Sequence, residues 1–132
     1  MARKVFISVL GASFYEKGKY GKEDVKFTSS ETRFIQQATL EYLKVEKWNE
    51  NDVAYILITK RAKECNWDKT ITTRKRSQDN EEEYIGLEKV IEDMHLPFTT
   101  MAVPIADGNN EEEMWDIFQA LYDHIQEGDE LY

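Results

Sequence analysis

A short polar and aromatic segment follows the first apolar run of the sequence, residues 5–10. It offers a glycine that permits a tight turn, a hydroxyl group, and two aromatic rings on which a nucleobase can stack. Its residues are Gly11, Ala12, Ser13, Phe14 and Tyr15. Because ligands of open α/β sheets bind beyond the carboxyl ends of strands, we predict a ligand site at this turn. A glycine turn with two packed loop aromatics is the alternative.

Two further groups of polar residues are candidates for contact with a phosphate. Ser30 and Thr32 precede a helical apolar pattern, and we place them at a helix start, where free N–H groups and the helix dipole favour anions. Simple capping explains such residues equally well. Thr59 and Lys60 close a second apolar run, residues 53–59, at the same predicted edge of the sheet. A lysine there would meet a phosphate, and surface solubility is the alternative.

The sequence favours binding over catalysis. Gly11 belongs to neither a G-x-G-x-x-G nor a G-x-x-x-x-G-K-[ST] pattern, so NAD binding and ATP hydrolysis are not inferred. His95 and His124 lack a nearby serine or cysteine with an orienting acid, as a nucleophilic triad requires. With Cys65 as the single cysteine, a Cys/His zinc cluster and an intramolecular disulfide are excluded. We therefore predict no catalytic residue, no metal and no cofactor.

Composition and charge narrow the class of protein. The chain has 132 residues, of which 41% are hydrophobic, so one domain with a real core is expected over residues 1–132. Acidic residues number 26 against 17 basic ones, and this balance argues against bulk nucleic-acid binding, which depends on Lys and Arg. No stretch approaches the length of a membrane span, and the first apolar run lacks a cleavage site. We predict a cytoplasmic protein with no membrane contact.

Alternating strands and helices must position the candidate residues. Apolar runs predict three strands, at residues 5–10, 53–59 and 99–105, the first two buried on both faces. Apolar residues at helical spacing predict three helices, at residues 31–47, 82–94 and 111–126. This alternation predicts an α/β fold with a parallel sheet and right-handed crossovers.

Local signals refine the ends of these elements. Thr28 and Glu31 have the spacing of a capping box, and Asn110 is placed to cap the third helix. Pro104 removes a ladder donor, so it should lie at the end of a strand or on an edge strand. The acids 81–83 are interpreted as charge at a helix start. Residues 12–27 and 61–80 are predicted to be long loops.

The last residues, 129–132, have the character of a new strand, because they follow Gly128, which we expect to stop the third helix. A doubly wound sheet would continue from there. We therefore expect a sheet truncated after the third helix, with a domain incomplete at its C-terminus and one edge of the first strand left unpaired.

Several segments together resemble CRISPR-associated proteins of the DxTHG family. The first is KVFISVLGASFY at residues 4–15, and the second is FTSSETRFIQ at residues 27–36. The similarity returns in shorter pieces at residues 84–87, 103–108, 110–115 and 128–132. The family commonly has Gly-Thr-Ser where this chain has Gly11-Ala12-Ser13, and the D-x-T-H-G motif itself would follow Tyr132.

This resemblance implies a CARF domain, which is a Rossmann-like three-layer α/β sandwich with a mainly parallel sheet. Such domains resemble homodimeric sensors that bind cyclic oligoadenylate in type III CRISPR antiviral defence. The family often couples them to a C-terminal HEPN ribonuclease, a segment that this sequence does not contain. The resemblance thus implies a ligand sensor that regulates an effector ribonuclease. The alternatives are a ring nuclease that cleaves the cyclic ligand and a generic α/β nucleotide-binding domain.

Overall fold

A computed structural model describes residues 3–12, 18–22, 27–68, 70–74 and 81–132 of the chain. The strands are β1 Lys4–Leu10, β2 Gly21–Lys22, β3 Phe27–Thr28, β4 Val53–Ile58, β5 Thr70–Arg74, β6 Glu81–Ile85, β7 Thr99–Pro104 and β8 Glu130–Leu131. The helices are α1 Ile35–Val45, α2 Lys60–Ala62, α3 Leu87–Met94 and α4 Glu111–His124, with a π-helical segment at Lys63–Trp67 between α2 and β5.

A parallel sheet of four strands forms the centre of the fold, in the order β7-β4-β1-β8. Its strands keep one register, in which Leu10 of β1 lies beside Ile58 of β4, and Ile58 lies beside Pro104 of β7. The predicted α/β fold with a mainly parallel sheet is therefore confirmed. Pro104 ends an edge strand, as its missing N–H donor predicts.

The two central strands differ in burial. Every residue of β4 is buried, as a strand covered on both faces requires. In β1 only Val5 and Leu10 are fully buried, and Val9 is 59% exposed. The prediction that β1 is buried on both faces was therefore wrong. The reason is that β8 pairs only with Lys4 and Val5, so the second half of β1 lies at an edge.

One face of the sheet carries α1 and α3. Alternate residues of β1 and β4 point to this face, and Phe34 at the start of α1 and Leu87 at the start of α3 pack against Ile56. A neighbouring cluster joins the other end of α1 to the same face through Leu40 and Trp48. The main apolar core therefore lies between these helices and the sheet.

The opposite face carries α4. Tyr55 and Leu57 of β4 point to it, and Ala120 and Leu121 of α4 pack against their cluster. Asn110 caps α4 as predicted, because its side-chain oxygen accepts a hydrogen bond from the Glu113 N–H at 2.9 Å. The described residues thus form three layers, with helices on both faces of one sheet.

The second predicted helix begins later than the sequence pattern indicates. Residues 81–85 form strand β6, which pairs antiparallel with β5, so the acids 81–83 do not lie at a helix start. Helix α3 begins only after Gly86. That glycine sits against the backbone of Asp68 and Trp67, a contact that a Cβ atom would prevent. The close approach of this backbone therefore requires a glycine directly before α3.

The first predicted helix also starts late, at Ile35 rather than residue 31. Thr28 lies in β3 and forms no capping box, and a backbone bridge pairs Thr32 with Gly18. The Thr32 hydroxyl accepts a hydrogen bond from the Phe34 N–H at 3.0 Å. Extended pairing thus takes the residues that the apolar periodicity assigned to the first turn of the helix.

The predicted loops contain regular structure. The range 61–80 holds most of α2, the π-helical segment and β5, and the range 12–27 holds β2 and the first residue of β3. The pairings are antiparallel and short, so the helix-and-strand alternation of the main sheet does not reveal them.

The last described residues form the predicted new strand. In β8, Leu131 lies beside Val5 of β1, so this parallel strand covers the amino half of that edge. The Arg3 guanidinium fixes β8 by donating two hydrogen bonds to the carboxylate of Asp129, at 2.7 and 3.1 Å. This ion pair holds the pKa of Asp129 below its usual value and that of Arg3 above its usual value.

None of the described helices has the length and apolar character needed to cross a membrane.

Candidate functional site

The carboxyl ends of β1 and β4 bring part of the predicted site together. Gly11 and Ala12 directly follow β1, and Thr59 and Lys60 directly follow β4. Since Leu10 and Ile58 are neighbours in the register, both pairs lie at the same edge of the sheet. Gly11 and Ala12 are partly exposed and Lys60 is exposed, so a ligand can reach them. Ser13, Phe14 and Tyr15 lie outside the described residues.

Thr59 has a structural contact of its own. Its hydroxyl oxygen accepts a hydrogen bond from the Ala62 N–H at 3.1 Å, and so caps the short helix α2. This cap turns the chain sharply after β4 and directs Lys60 away from the core. Within the described part of the chain the Lys60 ammonium has no ion-pair partner, whereas Lys63 pairs with Asp68 at 2.8 Å. Lys60 is thus an exposed cation at this edge that is available to an anion, and the adjacent Arg61 is exposed as well.

Ser30 and Thr32 do not lie where the sequence places them. Because α1 begins at Ile35, neither residue lies in its first turn. Thr32 is buried and its hydroxyl is engaged with the Phe34 N–H. Ser30 is exposed, and its N–H donates to the carboxylate of Glu41 at 2.9 Å. Ser30 and Thr32 therefore lack the helix N-terminus on which their prediction as phosphate ligands depended.

Two buried polar side chains, those of Asn66 and Arg33, hold the turn at Gly11 through a chain of hydrogen bonds. The Asn66 side chain, 1% exposed, donates from Nδ2 to the Gly11 carbonyl oxygen at 2.6 Å. Its Oδ1 accepts a hydrogen bond from Nη1 of Arg33 at 3.0 Å. The Arg33 guanidinium lies 4.3 Å from the centre of the Phe34 ring. Buried hydrogen bonds to a charged group are strong, so this chain fixes the position of the turn.

A second polar contact lies on the open side of β1. Gln36, in the first turn of α1, is buried and donates from Nε2 to the Ser8 hydroxyl oxygen and to the Val9 carbonyl oxygen, each at 3.2 Å. The Val9 carbonyl points to the side on which β8 lies, since Arg3 and Val5 use theirs to accept hydrogen bonds from β8 and its flanking residues. Gln36 therefore supplies a hydrogen-bond donor to the backbone of β1 beyond the residues that pair with β8.

The order of the strands marks this end of β1 as the place where a ligand crevice is expected. Chain order runs outward from β1 through β4 to β7, and then crosses back to β8 on the other side of β1. The direction of winding thus reverses between β1 and β8, and ligands of open α/β sheets bind at such a reversal. Gly11, Ser8 and Gln36 lie beside it.

The geometry favours binding of a polar or anionic group. Backbone and amide groups line the turn, Arg33 lies beneath it, and Lys60 stands beside it. Among the described residues no group of three His, Cys, Asp or Glu side chains is arranged to hold a metal ion. The ring of His124 packs on Tyr55 with centroids 5.2 Å apart. That position is at the far end of the fold from the turn.

Sequence reasoning missed three residues of this site: Arg33, Gln36 and Asn66. Gln36 carried a weak signal, since Leu40 and Leu43 follow it at i+4 and i+7 and share its helix face. Arg33 lay in a range predicted to be helical, and Asn66 in one predicted to be a loop, so their contact joins two segments far apart in sequence. The comparisons add nothing to these residues: no family model, no curated protein and no solved structure matches the chain.

Proposed function

We propose that this chain is a CARF-type sensor domain that binds cyclic oligoadenylate and regulates an effector ribonuclease. The observation that carries the proposal is the reversal of winding of the parallel sheet beside β1, a position where ligands of open α/β sheets bind. The first segment that resembles the DxTHG family, residues 4–15, includes β1 and the turn that follows it. The strand order and the resemblance thus support the same location.

The ligand's polar groups match the chemistry of the turn. Cyclic oligoadenylate presents phosphates, ribose hydroxyls and adenine rings in repeated order. In the proposal, Lys60 and the N–H groups of Gly11 and Ala12 contact phosphate and ribose. Ser13, Phe14 and Tyr15 remain predicted contacts, the two rings by stacking on adenine. Arg33 and Asn66 act as positioning residues, because they hold the Gly11 carbonyl from beneath.

A two-fold dimer suits this ligand. A ring of identical units is symmetric, so one patch, repeated by a two-fold axis, serves both halves of it. Both the dimer and the ligand belong to the proposal.

Isothermal titration calorimetry of the 132-residue chain with cyclic tetra-adenylate and cyclic hexa-adenylate tests the proposal. We expect heat with one ring and little with linear oligoadenylate of the same length. Lys60→Gln should weaken binding about tenfold, or ~1.4 kcal/mol. Lys44→Gln, which changes an exposed lysine in the last turn of α1, is the matched control and should not weaken it.

The absence of heat with both rings would overturn the proposal. Chromatography of the ring after long incubation separates the sensor from its alternative. A ring recovered intact supports a sensor, whereas linear products would assign a ring nuclease instead.

A further inference from the structure

Helix α4 carries two apolar stripes but packs with only one of them. Ala120 and Leu121 face the sheet and join its core cluster. The second stripe lies in solvent, with exposures between 56% and 72% for its four large side chains. These are Met114, Trp115, Phe118 and Tyr122. The rings of Trp115 and Phe118 touch edge to face, with centroids 6.0 Å apart. The exposed stripe is thus a continuous apolar surface.

The sheet beneath α4 is only partly covered. Strands lie about 4.8 Å apart, so a helix about 10 Å wide covers roughly two of the four. Val9 of β1 and Met101 of β7 point to this face, and both are exposed, Val9 to 59%. Apolar side chains of the sheet are therefore also exposed on the face that carries α4.

The charged side chains of α4 itself have one sign. Helix α4 contains five acids and no lysine or arginine, and all of the five except Glu113 are exposed. They are Glu111, Glu112, Glu113, Asp116 and Asp123. The asymmetry extends through residues 90–132, which hold 11 of the 26 acids and none of the 17 basic residues. The apolar stripe is therefore bordered by negative charge with no compensating cation on its own element.

We propose that the exposed stripe of α4 is a docking surface for a basic amphipathic helix of a partner protein. A partner helix would pack on this stripe with apolar side chains at i, i+3, i+4 and i+7. Lysine and arginine at its margins would meet the acids of α4, and complementary charge of this kind directs association and selects partners.

Other occupants fit the charge less well. A second copy docked through α4 on a two-fold axis would bring two acidic margins together, and like charges juxtaposed across an interface disfavour binding. Anionic lipid surfaces and nucleic acids would meet the same repulsion. The surface lies on the face opposite α1, so this inference goes beyond the proposed ligand site and does not depend on it.

A synthetic helix tests the proposal directly. The probe is a fluorescent peptide of about 18 residues made of leucine, alanine and lysine, with leucines in one helical stripe and lysines elsewhere. Its control replaces every lysine by glutamate. Fluorescence anisotropy measures binding of each peptide to the 132-residue chain. We expect the basic peptide to bind and the acidic one not to, and rising salt to weaken the complex.

Substitutions on exposed positions locate the contact. Trp115→Gln with Phe118→Gln should weaken peptide binding at least about tenfold, since aromatic residues dominate such interfaces. Ile35→Gln with Val45→Gln removes two exposed apolar side chains from α1 and is the matched control, with less than about a twofold effect expected. Trp115 also reports on the site, because Trp48 and Trp67 are buried. Its quenching by acrylamide should fall when the basic peptide binds.

Three results would overturn the proposal. The first is equal binding of the acidic and basic peptides, and the second is unchanged binding by the Trp115→Gln, Phe118→Gln variant. The third is a dimer, seen by sedimentation, that this variant converts to monomer while the basic peptide fails to bind. That result would assign the surface to a second copy of the chain.

Discussion

The two faces of the central sheet are built differently. On the face that carries α1 and α3, Phe34 is 1% exposed and several of its neighbours are fully buried. On the face that carries α4, Phe118 is 62% exposed, and no residue of α4 is fully buried. The first face therefore supplies most of the apolar stabilisation. On the second face, the described residues place one helix, α4, on a sheet that is wider than the helix.

Polar contacts help to hold α4, which has no fully buried residue. The last turn of α4 is tied to the sheet by the His124 carbonyl oxygen, which accepts hydrogen bonds from the Tyr55 hydroxyl at 3.2 Å and from the Arg3 guanidinium at 3.1 Å. Arg3 in turn holds Asp129 before β8. The difference teaches that α4 is positioned at its ends, by a cap and by this ion pair, and leaves its aromatic stripe available.

The largest expected difference in unfolding free energy is between two variants that each replace one phenylalanine, one on each face of the sheet. Phe34→Ala should lower the free energy of unfolding by about 3–5 kcal/mol, because it leaves a cavity in a close-packed cluster. Phe118→Ala should change it by less than about 1 kcal/mol, because the ring is mostly in water already. Urea denaturation of both variants measures the difference. Equal losses would show that the α4 face is as well packed as the other.

Much of the architecture was accessible from the sequence. The runs at residues 5–10, 53–59 and 99–105 each became a strand, because a strand buried in a parallel sheet must be continuously apolar. The parallel arrangement followed from the alternation. What periodicity could not reveal were pairings made by polar residues, such as β5 with β6. It placed residues 82–85 in a helix because Tyr84 fits the stripe of α3.

The candidate site was predictable only in part. A glycine after a buried strand marks a strand end, so Gly11 and Lys60 could be assigned to one edge. The contact of Arg33 with Asn66 could not be predicted, because it depends on the π-helical segment folding back over the start of α1. Hydrogen bonds between distant segments leave no periodic signal in a single sequence.

The second prediction tests how closely the α1 and α3 face is packed. Gly86 lies against backbone atoms of Asp68 and Trp67, and backbone cannot move aside as a flexible side chain can. Gly86→Ala should therefore cost about 3 kcal/mol of unfolding free energy. Gly18→Ala is the matched control, because a Cβ atom there has nothing within 4 Å. Thermal and urea unfolding compare the two. A Gly86→Ala variant as stable as the control would contradict the close approach.

The third prediction concerns the ion pair that secures the α4 face. Asp129 has 3% of its side chain exposed and accepts hydrogen bonds from Arg3 and from the Gln126 N–H. Asp129→Asn should lower the unfolding free energy by about 1–3 kcal/mol at neutral pH, because hydrogen bonds to charged groups contribute that much. Asp93→Asn, which breaks an exposed pair with Lys89, should cost less than about 1 kcal/mol.

The pH dependence of that loss has a definite sign. The ion pair lowers the pKa of Asp129 in the folded chain, so its contribution is complete above the unfolded pKa of about 3.9. It disappears as the pH falls through the lower, folded pKa. The stability difference between the wild-type chain and Asp129→Asn should therefore be constant from pH 7 to about 5 and shrink below about 4. A difference that grows on acidification would exclude this role of the ion pair.

The smallest expected effect lies at the other end of α4. The Asn110 side chain accepts a hydrogen bond from the Glu113 N–H, and the Glu113 carboxylate accepts one from the Asn109 N–H at 2.7 Å. Asn110→Ala should cost about 1 kcal/mol of unfolding free energy, the usual loss of an N-cap, whereas Asn110→Ser retains an acceptor and should cost less. Because α4 buries little apolar surface, even this loss should fray its first turn. Trp115, which lies close to that turn, should report the fraying as a change in fluorescence. If Asn110→Ala and Asn110→Ser proved equally stable and left that fluorescence unchanged, the sheet contacts alone would be holding α4, and the contrast between the two faces would be smaller than their exposures indicate.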